Sequence, residues 1–385
     1  MRKFFSITFI VLPFILSGQA LSGLNLSYWY DPNAEIEFVI SPVKSGNRVH
    51  VYYQMIANRM DNPIDSYSIS WEIRESLSDK NGDPIKTQDS ILSKSATILI
   101  GSVFLEPYNK LWYLTAKVKN KDTQGVFYFY KPIDPIWPVN NFIVSNGAIK
   151  FKGYVPLGST ISLGLKGERK TYCFLYKKKF GAAQPSFASA LQADPFLKAD
   201  STFTIDATFV PTQVGLYLLQ EDTTSAQGVS FLVTDPNYPK STTLTTLSGP
   251  LVYITTDDEY KQLTAAQTNK PAFDKVILEI TRDKERAKNL MRSYFQRVEA
   301  TNRYFTEYKE GWKTDRGVIY IIYGLPDEVS RTQDSETWFF RDQKTKFVFQ
   351  KTGSVFCPEN YKLQRERKFA QNWFTLVDLW RKSRF

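Results

Sequence analysis

The sequence predicts a mainly β chain that closes in an α+β domain. Two immunoglobulin-like β-sandwiches come first, then an antiparallel sheet packed with helices. Three observations carry this. Phe and Tyr number 28 and 22, a bias toward sheets whose faces are covered by flat rings. Short aromatic and β-branched runs recur between turn residues from about residue 24 to 235. Helical periodicity enters only after residue 250. At 385 residues and 42% hydrophobic, the chain is long enough for about two to three domains with packed cores.

Residues 1–20, MRKFFSITFIVLPFILSGQA, have the pattern of a signal peptide. Arg2 and Lys3 give a positive start, Phe4–Leu16 is an apolar core too short to span a bilayer, and Gly18 and Ala20 are small residues suited to cleavage. No cysteine follows the core to carry a lipid anchor, and no later apolar run is long enough to cross a membrane. The expected product is exported, in the periplasm or associated with the outer membrane.

The first sandwich is expected over 24–135. Its strands are LSYWY, EIEFVIS, RVHVYYQMI, SYSISWEIR, ATILIGSVF, LWYLTAKVK and GVFYFYK, with KNGDP at Lys80–Pro84 as a turn. In the fourth run Tyr67, Ile69, Trp71 and Ile73 alternate with polar residues, as on a half-buried strand. The three prolines of KPIDPIWPVN, Lys131–Asn140, indicate a linker.

The second sandwich is expected over 140–235. AIKFKGYVPLG, TISLGLKG, TYCFLYKKK, STFTIDATF, VGLYLLQED and VSFLVTD are its strands, and Gly181–Phe196 is a long loop. DPNYPKST, Asp235–Thr242, is a second linker.

The α+β domain is expected over 250–385. Thr256 and Glu259 form a capping box for a short helix. Ala287, Leu290, Met291, Tyr294, Phe295, Val298 and Phe305 lie on one stripe of a helix over about 283–308, which Gly311 ends as a left-handed residue. VIYIIY, Val318–Tyr323, is apolar on both faces, as in a central strand. ETWFFR and KFVFQ make a hairpin, a further strand lies near Tyr361–Leu363, and Phe369, Trp373, Val377 and Trp380 mark a closing helix.

Common catalytic devices are short of parts. His50 is the only histidine and belongs to a strand. One histidine and two distant cysteines, Cys173 and Cys357, cannot form a conventional zinc site, and the cysteines are expected to be independent buried thiols. GLKGERKT, Gly164–Thr171, has its second glycine misplaced for a phosphate loop and suits a hairpin turn. No catalytic, cofactor or metal residue is assigned. Formal charge is +10, or +8 without Arg2 and Lys3; in an exported chain this suits acidic lipid, polysaccharide or protein surfaces rather than nucleic acid.

The densest group of chemically capable residues is GWKTDRGVIYIIYGLPDEV, Gly311–Val329. Each residue has a structural use. Trp312 would bury its ring under the sheet with its N–H on a carbonyl. Thr314 and Asp315 would tighten a turn by bonding their own backbone. Arg316 would hold Asp327 or Glu336 in a fork. Gly317 would start the strand, Gly324, Pro326 and Asp327 would turn the chain, and Lys313 would be solvated. The stretch resembles the signature of the GWxTD-domain family of exported proteins of Gram-negative bacteria. RVEATNRYF, ETWFF (with Glu336 and Trp338), YKLQRERKFAQNW and VDLWRKSRF extend the resemblance over about 270–385. LEITRDKERAKNLM departs from it, with Lys284 after Asp283 where relatives often carry proline. The resemblance implies export and a β-rich, multi-domain layout, and supplies no catalytic residue.

Two functions follow as expectations. The first is a non-catalytic interaction protein of the envelope, with other envelope proteins and peripheral outer-membrane contact as partners, in an assembly or secretion complex. The second is a carboxylate-dependent hydrolase of carbohydrate type, using Asp315, Asp327, Glu328 or Glu336.

Overall fold

The computed structural model describes residues 18–46, 48–85, 89–106, 109–135, 139–165, 170–190 and 196–384. The leader-like segment 1–17 and residues 166–169 of the Gly164–Thr171 turn lie outside the described residues.

Among the described residues, eight strands build the first β region: β1 (Ile36–Ser45), β2 (Arg48–Ala57), β3 (Tyr67–Arg74), β4 (Asp83–Pro84), β5 (Ser90–Lys94), β6 (Ile98–Leu105), β7 (Trp112–Asn120) and β8 (Val126–Ile133). They form two antiparallel sheets, ordered β1-β2-β6-β5 and β4-β3-β7-β8. Val51, Tyr53 and Val103 of one sheet share a core with Trp71, Trp112 and Leu114 of the other. The short strands β4 and β5 carry no apolar alternation by which a sequence would mark them. The expected linker begins later than its prolines suggest: β8 runs through Pro132 to Ile133, pairing with Trp112. As an edge strand, β8 tolerates a residue that cannot donate.

The second β region holds β9 (Ile143–Ser145), β10 (Ala148–Ile149), β11 (Tyr154–Pro156), β12 (Ile161–Leu163), β13 (Thr171–Tyr176), β14 (Ser201–Ile205), β15 (Thr208–Phe209), β16 (Gly215–Gln220) and β17 (Val229–Thr234). The sheets are ordered β10-β9-β12-β15 and β11-β17-β16-β13-β14, with only the β11–β17 pair parallel. Ile143 and Ile161 of the first meet Cys173, Tyr217 and Phe231 of the second in one core. Cys173 and Cys357 are both free thiols.

The C-terminal region is α+β. Helices α1 (Leu244–Ser248), α2 (Asp257–Ala265), α3 (Lys270–Thr281), α4 (Lys284–Phe305) and α5 (Asp315–Tyr323) lead into the antiparallel sheet β18 (Glu328–Arg331), β19 (Ser335–Phe340), β20 (Thr345–Thr352) and β21 (Asn360–Leu363), closed by α6 (Ala370–Arg381). The Thr256–Glu259 capping box is present, and Asp283 caps α4 by accepting the Arg286 N–H at 2.8 Å. Trp338, Phe340, Phe347 and Phe349 of the hairpin are buried in the same core as α4, α5 and α6. No helix among the described residues is long and apolar enough to cross a membrane.

Two expected strands are not strands. VIYIIY is most of α5, every residue from Arg316 to Tyr323 being buried. A run that is apolar on all sides suits a wholly enclosed helix as well as a central strand. Here the capping residue Thr314 decides. LSYWY is largely the 3-10 turn Ser27–Tyr30, which plugs into the C-terminal core: Leu26 donates its N–H to the Val329 carbonyl at 2.8 Å, and Tyr30 is buried beside Phe305 and Trp338.

Candidate functional site

The GWKTD stretch is the start of α5. Gly311–Lys313 form a 3-10 turn and Thr314 is the N-cap. The Thr314 Oγ1 accepts the Gly317 N–H at 3.0 Å and its hydroxyl donates to the Gly311 carbonyl at 2.8 Å. Asp315 opens the helix, where negative charge is favoured. Its carboxylate accepts the Leu363 N–H at 2.8 Å and pairs with Arg365 at 2.5 Å, tying α5 to β21 and the chain just after it. Thr314 caps as a turn residue should, but Asp315 binds a distant strand and arginine, not its own turn.

Gly311 does not end α4 as a left-handed residue. That helix stops at Phe305 with extended Thr306 as its cap. Gly311 is needed for close approach instead: a Cβ there would lie 2.0 Å from the Thr301 carbonyl oxygen. Gly317 lies in the first turn of α5, not at a strand start. Gly324, with φ +93°, ends α5, and its N–H donates to the Tyr320 carbonyl at 2.9 Å. Arg297 of α4 donates to the Ile321 and Ile322 carbonyls beside it, and the Trp380 indole also donates to the latter. Pro326 and Asp327 make the turn into β18, where Asp327 accepts the Arg341 N–H at 2.8 Å.

Trp312 is half-buried and packs on Gly249 and Tyr253, not under a sheet. Its backbone makes the bonds expected of its ring: the N–H donates to Asn302 Oδ1 at 3.1 Å and the carbonyl accepts from the Tyr253 hydroxyl at 3.1 Å. Lys313 is not solvated. Its side chain is 15% exposed, paired with Glu310 at 2.7 Å and close to the Trp312 ring. Trp312→Ala should therefore cost about 1–2 kcal/mol in chemical denaturation, below the roughly 3–5 of a core tryptophan such as Trp338. An equal loss for the two would overturn this ranking.

Arg316 points into a buried ion-pair network. Its guanidinium is between the Phe305 and Tyr361 rings, 5.1 and 4.4 Å from their centres. One end donates to Glu307 at 2.7 Å. The other faces Glu336 at 3.6 Å and the Tyr30 hydroxyl at 3.4 Å. Of the two expected partners Glu336 is present and Asp327 is not. Register explains the rest: Arg331 of β18 lies opposite Glu336 of β19, and Arg331 Nε donates to Glu336 Oε2 at 2.6 Å. Tyr30 donates to the same oxygen at 2.8 Å, and the Trp338 indole donates to Oε1 at 2.6 Å. Glu336 is fully buried. Burial pushes its carboxyl up, but Arg331 and then Arg316, with the bonds from Tyr30 and Trp338, outweigh that and hold it below the ordinary carboxylate value. Burial pushes Glu307 above that value against the pull of Arg316. Arg316→Lys should cost about 1.5–3 kcal/mol, the worth of a hydrogen bond to a charged group, since one ammonium cannot serve both ends or stack between rings. An unchanged denaturation midpoint would count against the two-ended contact.

Beside this network is a cavity of about 310 Å³. Its walls come from all three parts of the chain: β1, Phe129–Lys131 of β8, residues 151–154, the end of α4, and Arg316 and Arg331. Lys131 pairs with Glu359, and Arg303 with Glu37 at 2.6 Å. His50 is elsewhere, bonded to the Tyr52 hydroxyl on β2 and stacked on Phe104. Asp315 and Asp327 are not brought together. They bracket the nine residues of α5, a helix about 13 Å long at 1.5 Å per residue, and each faces its own partner.

Tyr30, Glu307, Arg331, Tyr361 and Arg365 belong to this site without a sequence signal for that role; Glu336 had one, the period of two that puts it on the face of Trp338 and Phe340.

Residues 215–382 match the GWxTD domain family. The match begins in β16 and so takes in the last two strands of the second β region as well as the helices and the closing sheet. No curated protein matches the chain. With the Gly-Trp-Lys-Thr-Asp turn and its buried arginine inside this match, residues 215–382 of the chain carry a GWxTD domain.

Proposed function

We propose that the protein is an exported, non-catalytic interaction protein of the cell envelope, a component of an outer-membrane assembly or secretion complex. The observation that carries this is the state of the acids at the motif. Asp315 is held by Arg365 and a backbone N–H, Asp327 by a backbone N–H, Glu328 by Arg341, and Glu336 by Arg331, Tyr30 and Trp338. A general acid or base must exchange its proton with a substrate; Asp315 and Glu336, committed in this way, serve architecture instead, while Asp327 and Glu328 are exposed side chains. The leader-like N-terminus supports export. The edge of the first β region supports interaction: β5 is exposed along its length, with Ile91 and Leu92 at 62% and 50% exposure. Such an edge accepts an added strand.

Affinity purification of the tagged chain from native membranes tests this. A defined envelope protein should co-purify, and Leu92→Pro, which removes an edge N–H, should lose it while the chain stays folded. Recovery of the chain alone, or from the cytosol, would overturn the proposal.

A further inference from the structure

The cavity beside Arg316 is unbalanced in two ways. The first is charge. Five cations, Lys131, Lys152, Arg303, Arg316 and Arg331, line it. Four carboxylates pair with them: Glu37, Glu307, Glu336 and Glu359. The surplus charge is at Lys152. Arg303 holds Glu37 at 2.6 Å, whereas the Lys152 ammonium is 3.9 Å from it and makes no hydrogen bond among the described residues. The second imbalance is in hydrogen bonds. Among the described residues, Tyr130 is 5% exposed and its hydroxyl has no hydrogen-bond partner, the buried hydroxyl of Tyr304 has none, and neither has Glu37 Oε1, which meets Arg303 only as an ion pair. Both tyrosines line the same cavity. Buried hydroxyls are seldom left unpaired, and water or a ligand commonly completes them.

We propose that this cavity binds a monocarboxylate, supplied by a small free acid or by the C-terminus of a peptide. Burial pushes the Lys131 ammonium down to about 7, so the surplus near neutral pH is at most one charge, which matches a monoanion better than phosphate. A carboxylate accepts from an ammonium and from phenol hydroxyls, the donors that this lining offers. Phe38, Phe129 and Tyr154 give the walls an apolar component for the rest of the molecule, and about 310 Å³ is a small-molecule size. The side chains of Lys152, Lys131 and Arg303 are 30%, 34% and 39% exposed, against 9% for Arg316, so solvent reaches the lysine end while the arginine end is enclosed. Burial holds the Lys152 ammonium below its ordinary pKa, and a carboxylate beside it would oppose that.

The test is calorimetric titration of the full chain with benzoate, hexanoate, a free-acid pentapeptide, the same pentapeptide as its C-terminal amide, and inorganic phosphate. At least one free acid should bind at one site per chain. Tyr130→Phe and Lys152→Met should each weaken it about tenfold or more, as loss of a hydrogen bond to a charged group does. Tyr130→Phe should melt no lower than the wild type, so that its weaker binding is not misfolding. Peptide acid binding without amide binding identifies a chain terminus as the source; small acids binding without the peptide identify a free acid. Absence of heat from every carboxylate at about ten millimolar, phosphate binding tighter than all of them, or affinity unchanged in both variants would each overturn the proposal. The titration uses purified chain alone, so its outcome is independent of whether an envelope partner is found.

Discussion

Glu336→Gln is expected to destabilise the protein by about 3–5 kcal/mol, the cost of removing one partner from a buried ion pair. The wild-type carboxylate is fully buried and offers two acceptor oxygens to donors on both sides, Arg331 and Tyr30 on one, the Trp338 indole on the other. An amide has one acceptor end. Whichever way it turns, an NH₂ group faces a buried donor, and Arg331 keeps a charge with no carboxylate against it. The pH dependence should carry the same signature. The folded-state pKa of Glu336 lies below its ordinary value of 4.5. Its stabilisation is therefore complete above that value and is lost as pH falls through the lower folded value. The gap between wild type and variant, measured by urea denaturation, should shrink on going from about pH 6 to about pH 3. A gap that is constant with pH would show that the carboxylate charge is not what holds the corner. Replacing the pair together, as Glu336→Leu with Arg331→Met, should recover part of the loss, because Arg316 then keeps Glu307 and no buried charge is unmatched.

Parts of this corner were legible in the sequence because they follow local rules. ETWFF alternates, so Glu336, Trp338 and Phe340 had to share a face, and an acid on an apolar face needs a cation. Thr256 and Glu259 declared a helix start from their spacing. The errors have equally local causes. VIYIIY has no polar face, and periodicity cannot separate an enclosed helix from a central strand. The helix became decidable only through Thr314 and Asp315, residues that serve turns and N-caps alike. LSYWY has strand composition, yet its fate is set by a hollow just over 300 residues downstream, where the Tyr30 hydroxyl meets Glu336 and Arg331. Tyr361 and Arg365 are the same case, since each reaches its partner by the way β21 lies beside α5. Trp312 shows the converse: the most conspicuous side chain of the motif is only half-buried, and its backbone and the glycines around it carry the contacts.

Gly317→Ala sets two principles against each other, and the geometry decides between them. In a helix, alanine is favoured over glycine by about 1 kcal/mol, so propensity alone predicts a gain. But a Cβ on Gly317 would lie 1.9 Å from the Gly311 carbonyl oxygen and 2.9 Å from its carbon. That oxygen cannot move away without breaking the cap, because it accepts the Thr314 hydroxyl at 2.8 Å and the Thr314 N–H at 3.1 Å. Gly311 is itself pinned, its own missing Cβ lying 2.0 Å from the Thr301 carbonyl oxygen on α4. Overpacking against fixed backbone costs about 1–3 kcal/mol or more, and here one overlap would propagate through the turn into α4. Gly317→Ala and Gly311→Ala should therefore each lower stability by about 2–3 kcal/mol or prevent folding. Gly249→Ala is the informative contrast. Its Cβ would meet only the Trp312 ring, at 3.0 Å, a half-buried side chain free to shift, so it should melt close to wild type. If Gly317→Ala instead melts higher than wild type, the motif's glycine is there for backbone freedom rather than for contact, and the turn that positions Arg316 is looser than this packing implies.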